Sequence, residues 1–305
     1  MHCLVLGGTG FIGSHVVENL ASAGHHVRLL DLHPKQFWTP PPQVECVWTD
    51  WNDSALLDQA VRGTDIVMHL IGTTLPVTSN LDIVADIESN LVASIRLLQI
   101  CRQHNVQKVV FSSSGGTVYG VPQSLPIHED HPTYPINSYG VVKLAIEKYL
   151  HVFNQLYGLG YIVLRGANPY GQRQSPLGSQ GAVSVFLNRL AQSKPIEIWG
   201  DGSVVRDFVH VSDLARAFRL AAESDLNHGI FNVGSGQGIS LLKLIEKIQS
   251  ATGQSPTVVH LPGRSADVPI NVLDIRRIQA RLGWQPTIDL DAGLKQMWDW
   301  IRSIN

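Results

Sequence analysis

Cys3-Leu4-Val5-Leu6-Gly7-Gly8-Thr9-Gly10-Phe11-Ile12-Gly13 runs from four apolar residues into a glycine string and out into a helical pattern. Gly8, Gly10 and Gly13 fit G-x-G-x-x-G, and Gly7, Gly10 and Gly13 fit the looser three-residue spacing. Glycines here permit a tight turn and let backbone N–H groups reach a pyrophosphate, to which the helix N-terminus adds partial positive charge. Alone, a glycine string is only a tight turn. The strand before it and the helix after it make it a dinucleotide cradle, with Phe11 and Ile12 as the first helical residues beside the phosphates. Asp31 closes the second apolar run, 18 residues after Gly13, where an acidic side chain binds adenosine ribose hydroxyls. Its charge repels a 2′-phosphate, and Leu32 and His33 supply no guanidinium, so NAD is expected rather than NADP.

Working outward, the first half alternates short apolar runs with helical patterns. Strands are expected at Cys3 to Leu6, Val27 to Leu30, Val44 to Trp48, Ile66 to Leu70, Val109 to Phe111 and Tyr161 to Leu164, with helices at Ile12 to Ala23, Ser54 to Val61, Val84 to His104 and Tyr139 to Leu156, the last capped by Ser138. This is the α/β pattern of a Rossmann-type doubly wound parallel sheet. After Arg165 the texture changes, and Gly, Pro, Gln and Ser crowd 168–180. Two units are therefore expected: 1–165, dinucleotide-binding, and 166–305, a smaller mixed α/β substrate region, with a segment near 205–235 returning to the first. Within the second, Val183 to Ala191 and Leu241 to Gln249 read as helices, Ile196 to Trp199 and Phe208 to Val211 as strands, and two helices close the chain from Arg276 and Asp291.

The 305 residues carry 23 Lys plus Arg against 25 Asp plus Glu, a formal net charge of −2 without a dense basic run, so neither nucleic acid nor an anionic membrane is an expected partner. No uncharged apolar stretch approaches the ~20 residues of a bilayer span. Met1 leads almost directly into the first strand without a charged or long apolar leader, and Cys3, Cys46 and Cys101 match neither a zinc knuckle nor a disulfide framework. A reduced cytoplasm is the expected location.

Tyr139 and Lys143 stand four apart at the start of a helix and share one face. A nearby ammonium favours phenolate and a positively charged nicotinamide would push in the same direction, which would let Tyr139 act as a base near neutral pH. By itself such a pair is a helix surface; its place after a dinucleotide loop and a Ser-rich strand end makes it a catalytic candidate. That strand end is Phe111-Ser112-Ser113-Ser114-Gly115-Gly116-Thr117-Val118-Tyr119-Gly120. Ligands of such sheets bind at the carboxyl ends of strands. Ser114 is chosen to hydrogen-bond a substrate hydroxyl, and Ser113 stays open as the alternative.

With these residues in place the chain resembles the extended short-chain dehydrogenase/reductases, and within them the nucleotide-sugar epimerases typified by UDP-glucose 4-epimerase. The likeness spans nearly the whole chain: the glycine loop, Asp31, Asp50, His69-Leu70, Asn90, the Ser-rich strand end, Tyr139 with Lys143, Arg165 to Gly171, Gly200-Asp201-Gly202, Arg206 to Val211, Asn232-Val233-Gly234, Arg264 with Asp267, and Leu282-Gly283-Trp284. It implies that Asp50 and Trp51, Leu70 and Asn90 complete the NAD site, although Asp50 reads equally as an Asx-turn or a helix cap. It also implies that Asn168 holds the sugar or its phosphate, Arg206 and Arg264 grip the nucleotide diphosphate, and Asp267 meets a ribose. Without the resemblance, Asn168 is an Asn-Pro turn and the two arginines are surface ion-pair partners.

The implied chemistry is oxidation of a sugar C4 by NAD, with Tyr139 taking the hydroxyl proton through Ser114 and Lys143 holding the nicotinamide ribose, then return of hydride to the other face of the 4-keto sugar. The substrate would be a UDP-hexose or UDP-N-acetylhexosamine. Dehydrating relatives place Asp-Glu after the strand-end hydroxyl, whereas Gly115 and Gly116 follow Ser114 here. Gln180-Gly181 stands where many relatives carry a nucleotide-binding Asn, and Asn271, seven residues after Arg264, stands where hexose-restricted relatives carry a bulky Tyr, which suggests room for a C2 N-acetyl group. A nucleotide-sugar reductase or dehydratase and a non-catalytic NAD-binding regulator are the alternatives.

His128-Glu129-Asp130-His131 reads as a solvated loop rather than a metal site, and no metal is expected. His210 is expected to be structural. Leu91, Ile95, Leu98, Val142 and Ile146 give two helices apolar residues beyond one face, consistent with a homodimer or with burial inside one subunit.

Overall fold

The computed structural model describes residues 1–35, 37–175, 181–263 and 268–304. In chain order the strands are β1 (His2–Leu6), β2 (His26–Asp31), β3 (Glu45–Trp48), β4 (Ile66–His69), β5 (Lys108–Ser114), β6 (Gly160–Gly166), β7 (Asn168–Tyr170), β8 (Ile196–Trp199), β9 (Val205–His210), β10 (His228–Val233), β11 (Gly238–Ser240), β12 (Val258–Leu261) and β13 (Ile270–Asn271). The helices are α1 (Phe11–Ser22), α2 (Ser54–Val61), α3 (Ile83–Asp86), α4 (Ala93–Gln103), α5 (Ser138–Tyr157), α6 (Ala182–Ala191), α7 (Val211–Glu223), α8 (Leu241–Thr252), α9 (Arg276–Leu282) and α10 (Leu290–Ile304).

Seven parallel strands in the order β10-β6-β5-β4-β1-β2-β3 form the main sheet. β1 shows why its run is continuously apolar: Cys3 and Val5 face one core with α1 and α7, while Leu4 and Leu6 face the other with α2, α4 and α5. A strand buried on both faces needs apolar residues at every position, each contributing roughly 1.5–3 kcal/mol for a Leu- or Val-sized side chain. The chain order reverses between β1 and β4, and there the carboxyl ends open a crevice. β10, from far along the chain, returns to the sheet edge beside β6, with Phe231 opposite Leu164. A third core gathers Phe186, Leu190, Ile198, Leu244, Met297 and Trp298 from α6, β8, α8 and α10. A small sheet, β11-β9-β13, has β7 also paired with β9, and its strands alternate along the chain with the elements of the third core.

Two local features differ from the sequence expectation. The helix expected unbroken from Val84 to His104 is α3, a π-helical stretch Ile87–Val92, and α4. The wider turn accommodates the buried Asn90, whose carbonyl accepts the Ser94 hydroxyl at 2.6 Å. The cap of α5 is Asn137, which accepts from the Gly140 N–H at 2.8 Å, rather than Ser138. Strands β7 and β11 to β13 are only two to four residues long and carry no alternation strong enough to read in isolation.

Candidate active site

The β1–α1 loop is folded so tightly that only glycine fits at its last position. A Cβ on Gly13 would lie 2.0 Å from the Gly7 carbonyl oxygen, and Gly7 itself sits at φ +80°. No side chain caps α1. Its first N–H groups are thus left for an anion, which is the donor set a pyrophosphate needs. Asp31 ends β2 beside this loop: its Oδ2 accepts from the Thr9 N–H (3.0 Å) and hydroxyl (2.6 Å), and its Oδ1 from the Leu32 N–H (2.8 Å). The carboxylate therefore braces the glycine loop. These features fit a bound NAD.

Two further residues named for the cofactor site follow β3. Asp50 is exposed, and its Oδ1 accepts from the Asn52 backbone and side chain, both at 2.9 Å, an Asx-turn; Asp53, not Asp50, caps α2. Trp51 is buried against the His69 ring, 5.4 Å between centroids, and its indole N–H has no partner. Leu70 continues from β4 and packs against the core of α1 and α7.

Tyr139, in the first turn of α5, lines a cavity of about 830 Å³ at the carboxyl ends of β5 and β6. Its N–H donates to Ser79 Oγ (3.1 Å) and the neighbouring Ser138 N–H to Asn80 Oδ1 (2.8 Å), so the loop before α3 holds the start of this helix. Lys143 Nζ lies 5.5 Å from the Tyr139 ring centroid and donates to the Ser112 carbonyl at 2.8 Å. Lys143 by itself does not acidify the phenol. Burial, followed by the charge of Asp86, pushes Tyr139 up to about 12, while burial draws Lys143 down to about 8 against the pull of Glu147 and Asp86. His69, sandwiched between Trp51 and Phe111, is drawn down to about 3 by burial and by Lys143, and it is neutral at physiological pH. Asn90 accepts from the Thr73 N–H (2.9 Å) and donates to Thr73 Oγ1 (2.8 Å) and Asp86 Oδ1 (2.9 Å), so it organises the loop at the end of β4.

The two serines at the end of β5 have different neighbours. The Ser113 hydroxyl donates to Glu147 Oε1 at 2.5 Å, inside a buried network in which Arg165 meets both oxygens of Glu147 (3.0 and 2.6 Å) and donates to the Tyr119 hydroxyl (2.9 Å) and the Glu129 carbonyl (3.1 Å). Ser113 and Ser114 both line the cavity, and Ser114 is without that tie to Glu147. The stretch His128 to His131 is less solvated than expected. Glu129 accepts the Asn232 N–H (2.9 Å) and His131 Nε2 accepts the Gln123 N–H (2.9 Å), and both residues are buried. His210 caps α7 through the Ser212 N–H.

On the substrate side Asn168, Arg206 and Asn271 line the same cavity as Tyr139 and Ser114, with Phe11 and Ile12 of the glycine loop at its other end. Asn168 donates to the Asp207 carbonyl (3.0 Å), Arg206 to the Val268 carbonyl (2.7 Å), and Asn271 to the Gly115 carbonyl (3.0 Å). Arg264, Asp267 and Gln180 lie outside the described residues. Sequence reasoning missed Thr117 and Gln174. Each lines the cavity and, like Asn271 Oδ1, presents a buried oxygen without a hydrogen-bond partner. Buried acceptors are seldom left unpaired, so these three oxygens are exceptions beside the cavity. No sequence pattern signals them, because the three come from separate segments.

Residues 3–234 match the NAD dependent epimerase/dehydratase family. The chain is 35% identical over 305 residues to a putative UDP-glucose 4-epimerase of Methanocaldococcus jannaschii, covering 99% of each. It is similar to the crystal structure of a UDP-glucose 4-epimerase with UDP-glucose from Thermotoga maritima (TM-score 0.95, 35% identity, 100% of this chain and 99% of that one). It is also similar to a Thermus thermophilus UDP-glucose 4-epimerase complex with NAD (TM-score 0.92, 37% identity, 99% of each chain).

Proposed function

The chain belongs to the NAD-dependent epimerase/dehydratase family, and on that footing we propose that it is an NAD-dependent epimerase acting at C4 of a UDP-linked sugar. The observation that carries this reading is a single cavity into which the glycine-loop helix, the Tyr139 helix, the Ser114 strand end and the Asn168, Arg206 and Asn271 side chains all open.

Gly7, Gly10 and Gly13 with the N–H groups of Phe11 and Ile12 would hold the NAD pyrophosphate, Asp31 the adenosine ribose, and Lys143 the nicotinamide ribose. When bound, the nicotinamide supplies a reversible hydride acceptor next to the sugar carbon. Tyr139 takes the C4 hydroxyl proton and returns it, and Ser114 orients that hydroxyl. The phenol lies high in the protein alone, so the positive charge of Lys143 and of an oxidised nicotinamide must favour its ionised form for it to work near neutral pH. Arg206 suits the diphosphate because a guanidinium pairs with phosphate oxygens, and Asn168 stands at the sugar. Arg264 and Asp267 complete the nucleotide grip in this reading. Among the described residues no carboxylate lines the cavity, which supports epimerisation over loss of water.

Asn271 leaves room near the sugar for a C2 N-acetyl group, so both UDP-hexoses and UDP-N-acetylhexosamines are candidate substrates. A homodimer through α5 and the α3 region is supported by exposed Val84, Ile87, Val141, Tyr149, Val152 and Leu156. Leu98, Val142 and Ile146, which suggested the same surface, are buried within the chain's own core. Three free cysteines accord with a cytoplasmic location, and among the described residues no helix is long and apolar enough to cross a membrane.

The test is to incubate the protein with NAD and a panel of nucleotide sugars and to follow the ring protons by NMR. Inversion at C4 without net cofactor reduction is expected. Loss of water or stoichiometric consumption of reduced cofactor would assign the chain to another branch of the family, and no turnover of any sugar would leave a regulator.

A further inference from the structure

No side chain caps α1, whereas the first three N–H groups of α5 are all taken by side chains, two of them from a distant segment. The Gly140 N–H donates to Asn137 Oδ1 (2.8 Å) within the same turn. The Tyr139 N–H donates to Ser79 Oγ (3.1 Å) and the Ser138 N–H to Asn80 Oδ1 (2.8 Å), 60 and 58 residues earlier. The first N–H groups of a helix are ordinarily satisfied by water or by a local cap. Here the loop before α3 satisfies two of them, so that loop locates the backbone of Tyr139. Ser79 is itself fixed: it is fully buried, its hydroxyl donates to the Pro76 carbonyl (3.4 Å) and its N–H to the Leu75 carbonyl (2.9 Å).

Asn80 differs from Ser79 in being exposed, and it lines the same cavity as Tyr139 and Ser114, with Pro76 and Val77 of its own loop. A backbone N–H can only donate, so the Ser138 N–H fixes which way the Asn80 carboxamide is turned. Its oxygen lies toward the helix, and its nitrogen is left without a partner among the described residues. An amide nitrogen offers donors, and a sugar hydroxyl oxygen accepts them. We propose that Asn80 is a substrate-binding residue that donates from its carboxamide nitrogen to a hydroxyl oxygen of the sugar, and that Ser79 is a positioning residue that sets Tyr139 through the helix backbone. Two adjacent residues of one loop thereby hold two adjacent residues of one helix start, and one of the two also meets the ligand. The place of the sugar is tied in this way to the place of the base. The sugar rather than the cofactor is the partner, because Lys143, which faces the nicotinamide ribose in the proposed function, is buried one helical turn beyond Tyr139, whereas Asn80 is exposed before it.

This assignment rests on the epimerase reading, but its first test needs no turnover. Kd values for UDP-glucose and for UDP are measured by titration calorimetry in NAD-loaded protein carrying Tyr139→Phe, with and without a change at Asn80. Asn80→Asp can still accept the Ser138 N–H but has no donor to give; Asn80→Ser is uncharged and too short to reach the sugar. In both, UDP-glucose is expected to bind about three- to tenfold more weakly while the Kd for UDP stays within about twofold. Agreement between the two variants separates a lost donor from an added charge. An unchanged Kd for UDP-glucose, or an equal weakening of UDP and UDP-glucose, overturns the contact. Ser79→Ala, made in the chain with Tyr139 intact, should lower kcat per mole of bound NAD about tenfold in the ring-proton assay and leave KM within about twofold. An unchanged kcat in that variant, or a KM that rises as far as kcat falls, overturns the positioning role. The ring-proton assay on the unmodified chain tests the epimerase reading, and the Kd comparison decides Asn80 whatever that assay shows, so either can fail alone.

Discussion

Gly13→Ala should abolish tight NAD binding, although its position in α1 would ordinarily welcome alanine. In an open helix interior alanine is favoured over glycine by roughly 0.8–1 kcal/mol. Here the added Cβ would stand 2.0 Å from the Gly7 carbonyl oxygen, 2.9 Å from the Gly7 carbonyl carbon and 3.0 Å from Gly8 Cα, all backbone. None of these atoms can turn aside as a side-chain tip could. The loop and helix must separate by about 1 Å before that closest approach reaches the 3.0 Å below which real contacts essentially do not occur. A 1 Å displacement takes N–H groups out of hydrogen-bond range of a pyrophosphate. Losing two bonds to a charged acceptor, at ~1.5–3 kcal/mol each, predicts a 10²- to 10⁴-fold rise in the Kd for NAD, to order of magnitude.

Titration calorimetry of NAD into the variant measures this, with two other glycines as internal standards. At Gly10 the added atom meets only the Gly7 carbonyl, at 3.2 Å, so Gly10→Ala should lose less than about tenfold. At Gly24, φ is +83° with open space around it, so Gly24→Ala should lower the melting temperature through backbone strain and leave NAD affinity unchanged. Gly13→Ala binding NAD within threefold of the unmodified protein would refute the steric account of the cradle.

Tyr139→Phe should retain NAD binding and lose about 10²- to 10⁴-fold in turnover by the ring-proton assay; full rate in that variant would remove Tyr139 from the role of base. Ser114→Ala should lower turnover with an unchanged melting temperature, whereas Ser113→Ala, which strips a donor from the buried Glu147, should cost stability by about 1–3 kcal/mol in urea unfolding; the reverse assignment would mean that Ser113 is the substrate-facing hydroxyl. His69 is held far below its ordinary 6.5, at about 3, so the folded state binds fewer protons than the unfolded state between these values. Stability from keeping this ring neutral is present above pH 6.5 and lost as the pH falls toward 3; His69→Asn should flatten that part of the stability–pH curve, and an unaltered slope would count against it.

What could be read from the sequence is what the chain places close together. The glycine loop, Asp31, and Tyr139 with Lys143 each sit within one strand–turn–helix unit or one helical turn, where spacing alone fixes geometry. Asp50 shows the limit of even local reading: an acidic residue at a strand end serves a cofactor or its own turn equally well, and its Oδ1 is taken by Asn52. Ser113 and Ser114 look alike as neighbours on β5. They differ because strand side chains alternate, so one hydroxyl turns to Glu147 on α5 and the other to the crevice. That distinction needed the packing of a helix 34 residues away.

The electrostatics of the site were the least legible part, and the reason is physical. A tyrosine four residues before a lysine suggests an acidified phenol only if the ammonium outweighs desolvation, and burial is invisible in a one-dimensional pattern. In the folded chain desolvation is the larger effect on Tyr139 and Asp86 adds to it, so the phenol rises instead. If Tyr139 is the base of the proposed reaction, the positive charge of Lys143 and of an oxidised nicotinamide has to offset that desolvation, because a phenolate buried without opposite charge beside it costs several kcal/mol.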